Sequence, residues 1–305
     1  MTSAEISRLV AAALRRSAQA LRLVAKDLVW RPFQRFLTDG GNQYAGNIAF
    51  LMVLALFPFL IFMTSLAAFL EESAAASRFV DIFLDNLPPV ARDFLGPVFE
   101  DVVNKRSGSL LTLSIIGALW ISTSAVEAMR SGLNKAYRVA QPRSFLYHRI
   151  QGICLVVLAA GSIVVISTVL ILLPAVDDLV TLNEDALRQV ERLKALGRFV
   201  AVPFIMVSLG VVVYRYLPNS DYGWRRVLPG SLLSFGLWWA LVEAFSLYVR
   251  NFDSFSLIYG GLGGVIALLL FLYFSAAAFL IGAEFNVVLA DLVSRRVQRA
   301  DSRSP

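Results

Sequence analysis

The sequence predicts an all-α fold: a polytopic membrane bundle of six transmembrane helices, with an amphipathic N-terminal helix and helical outer loops. Three observations predict it. Only 16% of the 305 residues are charged, whereas a soluble domain carries about 25% to cover its surface. The charges that remain are gathered between long uncharged stretches. Those stretches approach or exceed the roughly 20 residues that cross about 30 Å of hydrocarbon, and they lack the ~10-residue alternation of barrel strands.

Along the chain, residues 4–36 read as a basic amphipathic helix. Arg8, Arg15 and Arg22 recur on one face, and Ile6, Val10, Ala13 and Val24 line another. Such a helix can rest on an anionic inner leaflet, so membrane lipids are an expected partner. The first 40 residues hold Glu5, Asp27 and many arginines, and are not expected to be a secretory signal. The first span is Tyr44–Leu70. Pro58 lies inside it and is expected to kink it, and Asn47 near its start is a candidate cavity residue. Outer segments 74–87 and 91–104 are amphipathic and are expected to cap the bundle. The second span, Ser109–Val126, is short, with Ser122, Thr123 and Ser124 carried as helix. The third is Leu146–Leu173. An acidic outer loop, 174–198, holds a short helix around 185–196.

The fourth span is Phe199–Leu217, with Pro203 expected to bend it near its outer end. The fifth is Val227–Val249 and the sixth Ile258–Leu289. Beyond Leu292 the chain is polar and is expected to lack fixed structure. The domain reading is 1–40 as a cytoplasmic basic segment, 41–292 as one membrane domain, and 293–305 as a polar cytoplasmic tail. Nineteen Lys/Arg fall on the side of the termini and nine on the other. The richer side is expected to be cytoplasmic, placing both termini inside a plasma membrane.

Composition excludes several chemistries. Cys154 is the single cysteine and His148 the single histidine, so neither an intrachain disulfide nor a Cys/His zinc site is expected. No cofactor or metal is expected. The net charge of +6 tracks topology rather than a reading element, so no nucleic-acid partner is expected. No aspartate lies within a span, no Ser/His pair is evident, and the carboxylates do not cluster as a metallonuclease needs.

Two carboxylates fall inside spans, Glu243 in the fifth and Glu284 in the sixth. A charge there is costly, so each should face protein or water, be paired, or be protonated. At 1.5 Å per residue, Glu243 lies roughly 24 Å in from the start of its span and Glu284 near the cytoplasmic end of its own. They therefore do not form one dyad. An ion pair with Arg149, Arg215, Arg225 or Arg226 is one reading of Glu284. For Glu243 a coupling-ion contact and a buried hydrogen bond stand equal.

The segment Tyr259-Gly260-Gly261-Leu262-Gly263-Gly264 opens the sixth span. Its glycines disfavour regular helix, so it is either a broken start lining a cavity or a site of close helix packing. Gly264, Ala267, Ser275, Ala278, Gly282 and Asn286 trace one mostly small face beyond it.

The chain resembles the YihY/BrkB family. The resemblance is carried in order by Tyr44-Ala45-Gly46-Asn47, Leu56-Phe57-Pro58, Leu133-Asn134-Lys135-Ala136-Tyr137, Arg215-Tyr216-Leu217-Pro218-Asn219, Val227-Leu228-Pro229-Gly230, Phe245-Ser246-Leu247-Tyr248, Ile258-Tyr259-Gly260 and Gly282-Ala283-Glu284-Phe285-Asn286. It covers about residues 35–292. It implies a bacterial inner-membrane protein of six spans, in a family whose members are called virulence factor BrkB-like and some of which carry a ribonuclease BN label. The family positions Pro58, Asn134, Pro218, Asn219, Tyr259, Gly260, Gly282, Glu284 and Asn286 carry over. Asn47-Ile48-Ala49 departs from the family's Ala-rich reading there. The expected function is secondary transport or export of a small-molecule, ion or lipid-like substrate, through Glu243, Glu284, Asn47, Tyr259 and Asn286. The alternative is a non-transporting envelope scaffold, with a second copy or an envelope protein as partner.

Overall fold

The computed structural model describes residues 28–69, 108–139, 145–167, 197–220, 222–250 and 261–301. Among them every regular element is helical. They are α1 (28–38), α2 (Gly41–Phe69), α3 (Gly108–Ala136), α4 (Phe145–Ser167), α5 (Val202–Tyr216), α6 (Trp224–Arg250) and α7 (Gly261–Asp301). Three stretches are long and apolar enough to cross a membrane: Phe199–Tyr216, Trp224–Tyr248 and Gly264–Ser294. The N-terminal face through residue 27, segments 74–87 and 91–104, and the 185–196 helix lie outside the described residues.

Three elements differ from the sequence reading. Helix α3 is 29 residues long and continues well past Val126. Its hydroxyls need no outside partner, because Thr123 and Ser124 both donate to the Trp120 carbonyl, at 2.8 and 3.0 Å, and Ser131 donates to that of Glu127 at 3.0 Å. Helix α7 runs for 41 residues to Asp301, so residues 293–301 are helix rather than an unstructured tail. Arginine and glutamine are good helix formers, and neither Gly nor Pro interrupts this stretch. Pro203 does not bend a helix interior. It stands in the first turn of α5, where its missing N–H costs nothing, behind a π-helical turn at Gly197–Ala201.

The other proposed breaks fall within helix. Pro58 lies inside α2, which is assigned as one helix from Gly41 to Phe69. Gly261, Gly263 and Gly264 form the first turn of α7. Tyr259 and Gly260 lie outside the described residues.

The core sits at one end of the bundle. Phe36, Ala45, Ile48, Leu133, Tyr214, Val227, Leu280 and Ala283 are buried there, drawn from α1, α2, α3, α5, α6 and α7. This end also holds Arg35, Arg130, Lys135, Arg138, Arg215, Arg225 and Arg226, and is called the basic end below. Helix α7 packs against α2, α3 and α6. Away from the basic end, Leu237, Trp239 and Leu247 on α6 and Ile266, Leu270 and Phe274 on α7 are exposed, a surface suited to lipid rather than water.

Helices α6 and α7 touch almost backbone to backbone. A Cβ at Gly282 would meet Ser234 Oγ, the Gly230 carbonyl and, at 2.7 Å, the Tyr214 hydroxyl. A Cβ at Gly230 would collide with the Gly282 carbonyl and the Asn286 amide. Gly236, on the same helix as Gly230, has open space around it. Gly282→Val is therefore expected to destabilise the protein by about 1–3 kcal/mol, the usual cost of overpacking, and Gly236→Val by less than half of that. Thermal unfolding of both variants in detergent measures the difference.

Candidate functional site

Four polar clusters build the basic end, and each has a local cause. Pro229 lies inside α6 and removes one rung of its hydrogen-bond ladder. Asn286 fills the disturbed turn: its Oδ1 accepts the Gly230 N–H at 2.7 Å, and its Nδ2 donates to the Val227 carbonyl and the Tyr137 hydroxyl, both at 3.2 Å. One amide thus ties α7 to α6 and to the end of α3. Tyr214 forms the second cluster. Its hydroxyl donates to the Phe279 carbonyl at 2.5 Å and lies 2.5 Å from Ser234 Oγ, while Ser234 donates to Ala278 at 3.1 Å.

The third is Arg130, only 1% exposed. Its guanidinium donates to the Leu217 carbonyl at 3.2 Å, the His148 carbonyl at 3.3 Å and Gln151 Oε1 at 2.9 Å, and pairs with Glu127. Gln151 in turn donates to the Tyr216 carbonyl. The fourth is Asn134, whose Oδ1 accepts the Asn219 N–H at 2.9 Å. Together these two fix the buried Leu217-Pro218 turn against α3 and α4. Tyr222, in the same connection, packs its ring 4.9 Å from that of Tyr137. Burial raises its phenol above the ordinary value; Asp291 adds to this, and Arg226, Arg35 and Arg138 oppose it.

Glu284 is the buried carboxylate of this end among the described residues. It is 2% exposed, and its Oε2 is buried without a hydrogen-bond partner among the described residues. The charges that act on it are Asp39, Arg35 and Arg138. The ion pair read from sequence is absent among the described residues. Arg149 instead lies 4.1 Å over the Trp120 ring, Arg215 donates to the Ser220 carbonyl at 3.4 Å, and Arg225 and Arg226 are exposed. Arg35 is held by Asp291 at 2.8 Å. Beside Glu284's charged neighbours opens a pocket of about 530 Å³, with Asp39 and Tyr44 on one wall and Ser131, Asn134, Lys135 and Arg138 on the other.

The remaining candidates are scattered. Glu243 and Asn47 are both exposed. Gly282 meets Gly230, and Glu243 lies thirteen residues further along α6, so the two acids stand about 20 Å apart along the helix. Among the described residues no three of His, Cys, Asp or Glu come together as a metal site. Sequence reasoning missed Arg130, Tyr214 and Arg138 as site residues. Arg130 was legible only as a topology charge, although its place one turn beyond Val126 on a helix-forming stretch puts it near the apolar boundary.

Replacing Asn286 by Ala removes three hydrogen bonds and leaves the Gly230 N–H facing a gap. The expected loss is about 1–3 kcal/mol, against less than about 0.5 for Asn47→Ala on the exposed face, both read from thermal melts in detergent.

The description "Virulence factor BrkB" fits residues 32–304. A protein of Bacillus subtilis strain 168, provisionally named as ribonuclease-like and called YfkH, is 29% identical over 84% of this chain and 93% of its own length. A UPF0761 membrane protein of Alteromonas mediterranea is 27% identical over 92% of this chain and 94% of its own. Another, of Alkalilimnicola ehrlichii, is 29% identical over 88% of this chain, which spans 59% of that longer protein. No solved structure matches the chain.

Proposed function

Since the chain belongs to the virulence factor BrkB family, a family with membrane proteins among its relatives, we propose that it is a secondary transporter or exporter of the bacterial inner membrane. In this reading six helices span the bilayer, both termini are cytoplasmic, and the basic end faces the cytoplasm. What supports the orientation is the gathering of Lys and Arg at that end. What supports transport is one observation: a buried carboxyl with an oxygen that lacks a hydrogen-bond partner among the described residues, acted on by two residues, Asp39 and Arg138, that line a polar pocket. A buried ionisable group inside a span marks an ion or substrate pathway by default. Glu284 is buried on α7, which packs against α2 and α3, so in this reading its charge state is coupled to that packing. A gradient that loads or unloads this group can therefore drive a rearrangement at the basic end.

The scaffold reading rests on a different observation. The four polar clusters lock α3, α4, α5, α6 and α7 together through hydrogen bonds between helices, as a static platform would. A ribonuclease reading, carried by the name of one relative, has less support. His148 spends its carbonyl on Arg130 and lies 3.9 Å from Glu127, at the start of α4.

Two measurements decide between these. In proteoliposomes with an imposed pH gradient and a lumenal pH dye, the protein is expected to speed proton movement above that of empty vesicles when envelope-derived substrates are added. Glu284→Gln should return it to the empty-vesicle rate; a wild-type rate in that variant sinks the coupling role. For topology, Cys154 is replaced by Ser and single cysteines are placed by Ser3→Cys or Ser304→Cys. Both should react with an impermeant maleimide in inverted vesicles and not in intact spheroplasts.

A further inference from the structure

The pocket at the basic end has features that the transport reading does not use. Helix α3 closes with the Val139 N–H donating to the Asn134 carbonyl at 2.9 Å and the Arg138 N–H to that of Lys135 at 3.1 Å. The residue between these bonds must be left-handed, and glycine is the usual occupant. Here it is Arg138, at φ 57°, the one non-glycine residue with positive φ among the described residues. An arginine there costs backbone stability that glycine would not.

That side chain is not spent on the fold. Arg138 is exposed and forms no ion pair among the described residues, and the same holds for Lys135 across one turn. Other arginines of this end are engaged: Arg35 with Asp291, Arg130 in its cluster, Arg149 over Trp120. Asp39, on the opposite wall, is also unpaired among the described residues. Asn134 has given its Oδ1 to Asn219, which leaves its NH₂ as a donor, and Ser131 has given its proton to the Glu127 carbonyl. Two unspent cations and an amide therefore face one unspent carboxylate across about 530 Å³, a volume that suits a small ligand or headgroup. Tyr44 opens the apolar run of α2 and Asp39 lies in the turn before it, so the pocket sits at the polar–apolar boundary of the bundle.

We propose that this pocket binds a phosphoethanolamine group, with Lys135 and Arg138 on the phosphate and Asp39 on the ammonium. Arg and Lys bind phosphate oxygens through charge-assisted hydrogen bonds. Asp39 sets the selectivity. It accepts from a primary ammonium, finds no N–H on a choline, and opposes a headgroup that carries only the phosphate charge. The shared chemistry has two sources, a membrane lipid headgroup or a soluble phosphoamine. Asp39 and Arg138 also act on Glu284, so the site adjoins the group that the transport reading uses, but its lipid readout does not require transport.

The test uses the full-length protein in detergent, offered equal amounts of phosphatidylethanolamine, phosphatidylcholine and phosphatidylglycerol, with retained lipid read by native mass spectrometry. Wild type is expected to keep phosphatidylethanolamine by about tenfold over the other two, the scale of one charged contact. Arg138→Gly should lower that retention about tenfold while its thermal midpoint stays level or rises, since glycine fits the backbone there. Asp39→Asn should shift the preference to phosphatidylglycerol. Binding of soluble O-phosphoethanolamine to wild type without lipid retention assigns the site to the soluble source. Equal retention of the three lipids with no binding of O-phosphoethanolamine overturns the proposal, as does an Arg138→Gly variant that binds like wild type.

Discussion

The contact between Gly230 on α6 and Gly282 on α7 is the constraint on which the described structure depends. Neither position has room for a Cβ, and the two backbones come close enough for side chains of one helix to reach peptide groups of the other. Proline at position 229 opens the α6 ladder where this contact occurs, and Asn286 closes it again from α7. In a membrane, where apolar surface is matched by lipid tails, small residues and interhelical hydrogen bonds are what hold helices together. The remaining clusters extend that seam. Tyr214 brings in α5 through Ser234 and Phe279, Tyr137 brings in α3 through Asn286, and Arg35 joins α1 to the far part of α7 through Asp291.

This seam explains why motifs that are far apart in the chain belong together. Asn134, Pro218, Asn219, Gly282 and Asn286 come from three different segments, and all meet at the basic end. Each does a backbone job: accepting a loop amide, filling a turn, allowing a close approach or capping a broken ladder. In this chain these positions thus serve largely to dock its helices. Glu284 sits in the same segment and has no such job, which is why it stands out as the residue whose chemistry is left to explain. Arg138 stands out for a parallel reason, since the backbone there would accept glycine at lower cost.

Much of the fold was legible because it depends on one-dimensional properties. Span lengths follow from runs of apolar residues, and the starts of α2 and α6 fall within three residues of the sequence boundaries. The errors were at polar ends. Helix α3 and helix α7 both outlast their apolar runs, because hydroxyls bonded to the preceding turn and arginines, which are good helix formers, do not stop a helix. The site was less legible. Asn47 looked like a cavity residue from its depth along α2, yet depth does not fix rotation, and it faces outward. Glu243 is exposed for the same reason.

The sequence by itself determined the all-helical membrane character of this protein, its family, and the separation of its two acids along the helices. Hydropathy, charge and helical rise are local quantities that no neighbour can change. Only the tertiary structure decided which polar groups are spent. It gave Asn286 three partners, buried Arg130 among carbonyls, left Glu284 Oε2 without a partner among the described residues, and brought Lys135, Arg138 and Asp39 to one pocket. Satisfaction of a buried group depends on residues from other helices within about 3 Å, and that information exists only once the helices have packed.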